Sequence, residues 1–201
     1  MNYTYYKDNI LMCGKMLSGK TYQTKRLIST APRDRILVLD AHPQDSGYDK
    51  IADRSNIMVS SRPYNSLWID KFIATARKKE HFHSVVVFDD IDLYIKYAND
   101  SESLKDFFID ARHNYLAAIV QSKRPVNLDK RIIQNCRYVF IFKGISTKDF
   151  IRIKDETQID DDERINELYD YLKDSPDDEH LFILIDTQTK ECNLRNNLKF
   201  R

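Results

Sequence analysis

Glycine is scarce, with four in 201 residues, and two of the four, Gly14 and Gly19, fall in one short segment. Glycine supplies positive φ and lets other backbone approach closely, so that segment reads as a tight loop. Cysteine is scarcer still. Cys13, Cys136 and Cys192 are scattered, odd in number and lack a Cys-x-x-Cys pair. That excludes a disulfide framework or zinc knuckle and leaves three small buried hydrophobes. The five prolines form no linker. No apolar run approaches the roughly 18 residues that span a bilayer. The first residues, Met-Asn-Tyr-Thr-Tyr-Tyr-Lys-Asp, carry no apolar signal stretch, so the chain reads as cytosolic. Charge of one sign is also lacking: 32 basic against 31 acidic residues give a net +1. Binding to nucleic acid would therefore need a locally basic surface rather than a basic protein.

What is present fits one α/β domain over residues 1–201, with 42% hydrophobic and 31% charged residues. Short apolar runs at Ile10–Cys13, Arg35–Asp40, Ser84–Asp89, Leu116–Gln121 and Tyr138–Phe142 read as buried parallel strands. Ile57–Ser60 reads as a short extra strand. Between them lie helical patterns over Lys20–Ser29, from Ser66, over Ser101–Asn114 and near Leu128–Asn135. This core covers about residues 8–143. From about residue 144 follow a helix around Lys148–Lys154, a helix burying Ile165, Leu168, Tyr169 and Leu172, and a β-hairpin turning at Thr187–Lys190. Alternation of this kind predicts a mostly parallel sheet with helices on both faces.

Residues 14–21 read Gly-Lys-Met-Leu-Ser-Gly-Lys-Thr, the phosphate-binding pattern G-x-x-x-x-G-K-[ST], between a strand and a helix. Backbone N–H groups from Met16 to Thr21 would cradle phosphates at a helix N-terminus. Gly14, Lys15, Ser18, Gly19, Lys20, Thr21 and Tyr22 are the candidate ATP contacts. Lys20 would charge-stabilise the β/γ-phosphates, and the Thr21 hydroxyl would ligate Mg²⁺. Downstream, Val-Val-Val-Phe-Asp-Asp at 85–90 ends an apolar strand in two carboxylates. Asp89 is placed to hold Mg²⁺ from the opposite side, and Asp90 to deprotonate the attacking water. Asp92 reads as a solvent-facing carboxylate. Gln121 ends the next strand, where strand tips converge on a ligand crevice, and is a candidate polar contact to the γ-phosphate or water. Arg112 precedes that strand, on the far side of the sheet from its own loop. It would serve a neighbour's site in a ring as an arginine finger; the plainer reading is a helix-end cation.

Together these motifs, with Ala-Arg-His at 111–113 and Ile-Val-Gln-Ser-Lys-Arg-Pro at 119–125, resemble the FtsK/HerA superfamily of P-loop ATPases. Within it the chain is most similar to the genome-packaging ATPases of double-stranded DNA viruses with internal membranes. The likeness spans roughly residues 8–143. It implies a RecA-like (ASCE) core with strand order 5-1-4-3-2, a hexameric ring and double-stranded DNA in a central channel. It further implies Gln121 as polar sensor, Arg112 as trans-acting arginine, and work in the host cytoplasm or at the virion vertex. Asp90 departs from the commoner glutamate by one methylene.

Other signals are weaker. His81-x-His83 reads as a cationic helix cap, and Tyr3, Tyr5 and Tyr6 as edge-strand residues. Arg77-Lys78-Lys79, Lys123-Arg124 and Lys130-Arg131 read as solvated faces that could touch phosphates. The acidic stretches Asp160–Glu163 and Asp174–Glu179 read as solvated, or as contacts for a capsid or virion membrane protein. Two alternatives to a DNA translocase stand: a P-loop ATPase for protein or virion assembly, of the filamentous-phage type, and a small nucleotide kinase.

Overall fold

The computed structural model describes residues 8–30, 35–42, 44, 46–48, 50–51, 57–78, 84–114, 116–176 and 181–196. Four short apolar strands come first: β1 (Ile10–Cys13), β2 (Ile36–Leu39), β3 (Ile57–Ser60) and β4 (Val85–Phe88). Then follow β5 (Ala117–Ser122), β6 (Tyr138–Phe142), β7 (Leu181–Asp186) and β8 (Glu191–Asn196). They form one sheet in the order β3-β2-β4-β5-β1-β6-β7-β8. Pairing is parallel from β3 through β6, and β7 and β8 add antiparallel at the β6 edge. With β3 set aside as the extra strand, the remaining order is the expected 5-1-4-3-2. The hairpin also lies where the sequence put it.

Helices cover the sheet unequally. On one face, α1 (Lys20–Thr30) contributes Ile28 to a core with Ile10, Met12, Val38, Val87 and Phe140. The other face carries α2 (Ser66–Ala76), α3 (Ile95–Asp100), α4 (Glu102–Asp110) and α5 (Lys130–Gln134). It also carries α6 (Thr147–Thr157) and α7 (Asp162–Asp174), packed on Leu11, Leu39, Phe88 and Val120. Strand residues alternate between the two cores because successive side chains point to opposite faces. All three cysteines are buried and unpaired. Among the described residues, no helix is long and apolar enough to cross a membrane.

Two differences from the sequence expectations bear on the site. The helix expected over Ser101–Asn114 stops at Asp110 and tightens into a 3-10 turn, Ala111–Asn114. Residues 91–100, for which the periodicity predicts nothing, form a 3-10 turn at Ile91–Tyr94 and then α3. Ser101 separates α3 from α4. Its hydroxyl accepts from the Leu104 N–H, 3.0 Å, and donates to Asp70 on α2, 2.7 Å.

Candidate nucleotide site

Strand β1 lies between β5 and β6, so the loop that follows it opens at the middle of the carboxyl edge of the sheet. Gly14 is required by close approach: a Cβ there would lie 2.7 Å from Phe142 Cβ and 2.8 Å from Ser18 Oγ. Gly19 has φ 100°, open to glycine and costly for other residues. Leu17, at the apex, adopts φ 61° with its side chain 96% exposed. Lys20 is buried at the start of α1, and its Nζ donates to the carbonyls of Gly14 and Lys15, both at 2.8 Å. Burial holds its pKa below the ordinary lysine range, with the Asp90 carboxylate opposing that shift. Ser18 Oγ is buried without a hydrogen-bond partner among the described residues.

From Thr21 a chain of hydrogen bonds crosses the sheet edge. Thr21 Oγ1 donates to Gln121 Oε1, 3.1 Å, and Gln121 Nε2 donates to Tyr48 Oη, 2.7 Å. Tyr48 Oη in turn donates to Asp89 Oδ1, 2.9 Å. Burial raises the Asp89 pKa to about 6, while the Tyr48 bond pulls it back. Burial keeps the Tyr48 phenol protonated, its pKa pushed well above 10. Asp90 adopts a left-handed conformation, φ 46°. Its Oδ2 lies 2.6 Å from Lys123 Nζ and 3.8 Å from His42 Nε2, and its Oδ1 is buried without a partner among the described residues.

The structure thus brings Lys20, Thr21, Asp89, Asp90 and Gln121 to one cavity of about 680 Å³, with Lys123 and Ser46 also on its wall. Tyr22 is half-exposed at its rim. Lys15 opens onto a second cavity, about 340 Å³, on the β6–β7 side of the loop. The backbone of Arg112 lies in the 3-10 turn before β5. Four residue steps of about 3.3 Å separate Ala117 from Gln121, so about 13 Å of strand lies between this end of β5 and Gln121. The Arg112 side chain lies outside the described residues, as do His81, His83, Tyr3, Tyr5, Tyr6 and Lys79.

Asp92 corrects the sequence reading. It is half-buried and engaged rather than simply solvent-facing. Its carboxylate accepts from Ser122 Oγ, 3.0 Å, from the Arg124 N–H, 3.1 Å, and from the Lys123 N–H, fastening the turn after β5. The fully buried Asp149 grips the same turn through Arg124 Nε, 3.1 Å, and the Val126 N–H, 3.0 Å. The basic clusters are likewise paired rather than merely solvated: Arg77 with Asp110, Lys123 with Asp90, and Arg131 with Glu102 and Asp129. Two site residues were missed from the sequence, Tyr48 and Asp40, while Lys123 was read only as part of a solvated basic cluster that could touch phosphates. Asp40 holds the loop that carries Tyr48, accepting from the His42 N–H, 2.8 Å, and from Ser46 Oγ. Its one available signal was its place at the end of an apolar strand, which it shares with Asp89.

The residues fit Mg²⁺. Among the described residues, no group of three or more His, Cys, Asp or Glu could hold a metal alone. Magnesium commonly binds through one or two protein oxygens, the rest coming from substrate phosphates and water. The buried Asp89 carboxylate and the Thr21 hydroxyl, which line the same cavity, suit that arrangement.

No protein-family model matches the sequence, and no curated protein matches it. Solved structures do match the fold. The genome packaging NTPase B204 from Sulfolobus turreted icosahedral virus 2, in complex with ATP-gammaS, aligns with TM-score 0.74 at 15% identity. The alignment covers 94% of this chain and 97% of that one. B204, the DNA-packaging ATPase from Sulfolobus Turreted Icosahedral Virus, gives TM-score 0.74 at 15% identity over 96% and 98% of the two chains. EccC (ATPases 2 and 3) from Thermomonospora curvata, in complex with a signal sequence peptide, gives TM-score 0.59 at 13% identity, covering 98% of this chain and 37% of that one. The chain therefore has a P-loop ATPase fold, and it shares nearly the whole length of that fold with the compact B204 chains.

Proposed function

We propose that the protein hydrolyses ATP to drive double-stranded DNA into a viral capsid. The observation that carries this is the single cavity joining Lys20, Thr21, Asp89, Asp90 and Gln121 at the carboxyl edge of the sheet. The near end-to-end fold match to B204 supports the packaging part. In this reading the loop N–H groups and Lys20 bind the β- and γ-phosphates, with Lys20 leaving the Gly14 and Lys15 carbonyls to do so. Thr21 and Asp89 would hold Mg²⁺, which supplies charge neutralisation at the phosphate oxygens. Gln121 positions the attacking water. Asp90 takes its proton as the water oxygen bonds to the γ-phosphorus and the bond to the bridging oxygen breaks, giving ADP and phosphate.

The protein would act as a ring, a hexamer in this reading, with DNA in its channel. Its place of work would be the host cytoplasm and the virion vertex, docked on a capsid or virion membrane protein. A protein-handling ATPase is the second reading, favoured by the fold match to EccC. Phosphate release measured with and without double-stranded DNA tests both. Hydrolysis stimulated several-fold by duplex DNA is expected. Hydrolysis indifferent to DNA at low salt would favour the second reading, and no hydrolysis would overturn the ATPase reading itself.

A further inference from the structure

Lys20 and Lys123 both face the phosphate cavity, from segments that follow the neighbouring strands β1 and β5. Lys20 belongs to the loop, whereas Lys123 follows β5, close enough that its charge helps lower the pKa of Lys20. In the structure the Lys123 ammonium is paired with Asp90 at 2.6 Å, with only 24% and 14% of the two side chains exposed. The pair is unequal in its anchoring. The backbone of Lys123 is pinned by Asp92, and its neighbour Arg124 by Asp92 and Asp149. The Lys123 side chain beyond that point is a flexible four-carbon stem ending in a compact charge. Asp90 sits on a left-handed backbone with one buried oxygen lacking a partner among the described residues and the other held by Lys123, His42 lying nearby. With one oxygen engaged by the ammonium and the other enclosed, the carboxylate presents no free oxygen to a water molecule. A γ-phosphate carries more negative charge than the carboxylate and more acceptor oxygens, so it competes for the same ammonium.

We propose that Lys123 is a γ-phosphate-sensing residue that exchanges Asp90 for the γ-phosphate, so that ATP but not ADP frees Asp90 to act on water. This rests on the ATPase reading and adds a coupling to it: the substrate itself unmasks the base. ADP, lacking the third phosphate, leaves the Lys123–Asp90 pair intact.

The test is the ratio of two dissociation constants, for Mg-ADP and for the Mg complex of a methylene-bridged ATP analogue. Lys123→Met should reduce the preference for the analogue about tenfold or more while ADP binding stays within about twofold. Lys123→Arg should retain most of the preference. Screening is the rival explanation, since removing Lys123 also exposes the γ-phosphate to the Asp90 charge. The same measurement in an Asp90→Asn background separates the two. There the loss caused by Lys123→Met persists if the ammonium contacts phosphate, and disappears if Lys123 only neutralised Asp90. Disappearance overturns the proposal, as does an equal loss for ADP and analogue. If wild-type protein binds neither nucleotide, or Lys20→Ala binds both as tightly as wild type, the ATPase reading fails and this inference with it.

Discussion

Tyr48 shows how much of the site hangs on single hydrogen bonds. Its hydroxyl joins the Asp89 carboxylate to Gln121, and through Gln121 to Thr21. Tyr48→Phe removes no volume to speak of but leaves two buried polar groups short of a partner, a cost of about 1–3 kcal/mol. We expect a lower melting temperature and turnover down roughly tenfold, as Asp89 loses its fixed orientation; unchanged turnover would make Tyr48 packing alone. Lys20→Ala should abolish hydrolysis and weaken ATP binding with the fold intact by circular dichroism, since both acceptors of Lys20 are carbonyls of the loop itself. Asp89→Asn and Asp90→Asn should both suppress turnover but part company in binding. The first weakens Mg-ATP, and the second leaves a tight, stalled complex. Equal loss of affinity in both would overturn that division of roles.

At the scale of elements, the turn from Ser122 to Val126 is the connection on which most depends, because it carries Lys123 and follows Gln121. Asp149, at the start of α6, holds it from below, with Ser146 and the Val126 N–H as further partners. Asp149→Ala strands those donors in a buried place and should cost about 2–3 kcal/mol in denaturant unfolding; a change under about 0.5 kcal/mol would mean that Asp92 alone suffices. The central strands β1, β2, β4, β5 and β6 were legible in the sequence because each is a short, mostly apolar run buried on both faces. The loop was legible because close approach at Gly14 and positive φ at Gly19 demand glycine in a glycine-poor chain. The 3-10 turns and α3 were not, since a one- or two-turn segment is too brief to show a period. Tyr48, Lys123 and Asp92 were not either. Their partners lie 41, 33 and 30 residues away, and nothing local in the chain marks such pairings.

For the molecule as a whole, the proposed ring gives Arg112 a role that one copy would not. The 3-10 turn that holds its backbone is at the opposite end of β5 from Gln121, so in that proposal a finger there would serve a neighbour's phosphate. Arg112→Ala should bind ATP normally and hydrolyse it about 10³-fold more slowly. Mixed with Lys20→Ala under conditions that form rings, it should recover activity wherever an intact loop meets an intact Arg112. Normal hydrolysis by Arg112→Ala alone, or no recovery in confirmed mixed rings, would return Arg112 to a helix-end cation. The seating of β1 has a mechanical consequence. A motor of the kind proposed would work against tension, and the phosphate loop is tied to β1, which is bonded along its length to β5 on one side and β6 on the other. A pull along β1 loads both ladders in shear, so their bonds must fail together. At the β8 edge a pull can peel bonds one at a time. Under load the sheet should therefore yield from its rim while the nucleotide loop keeps its shape.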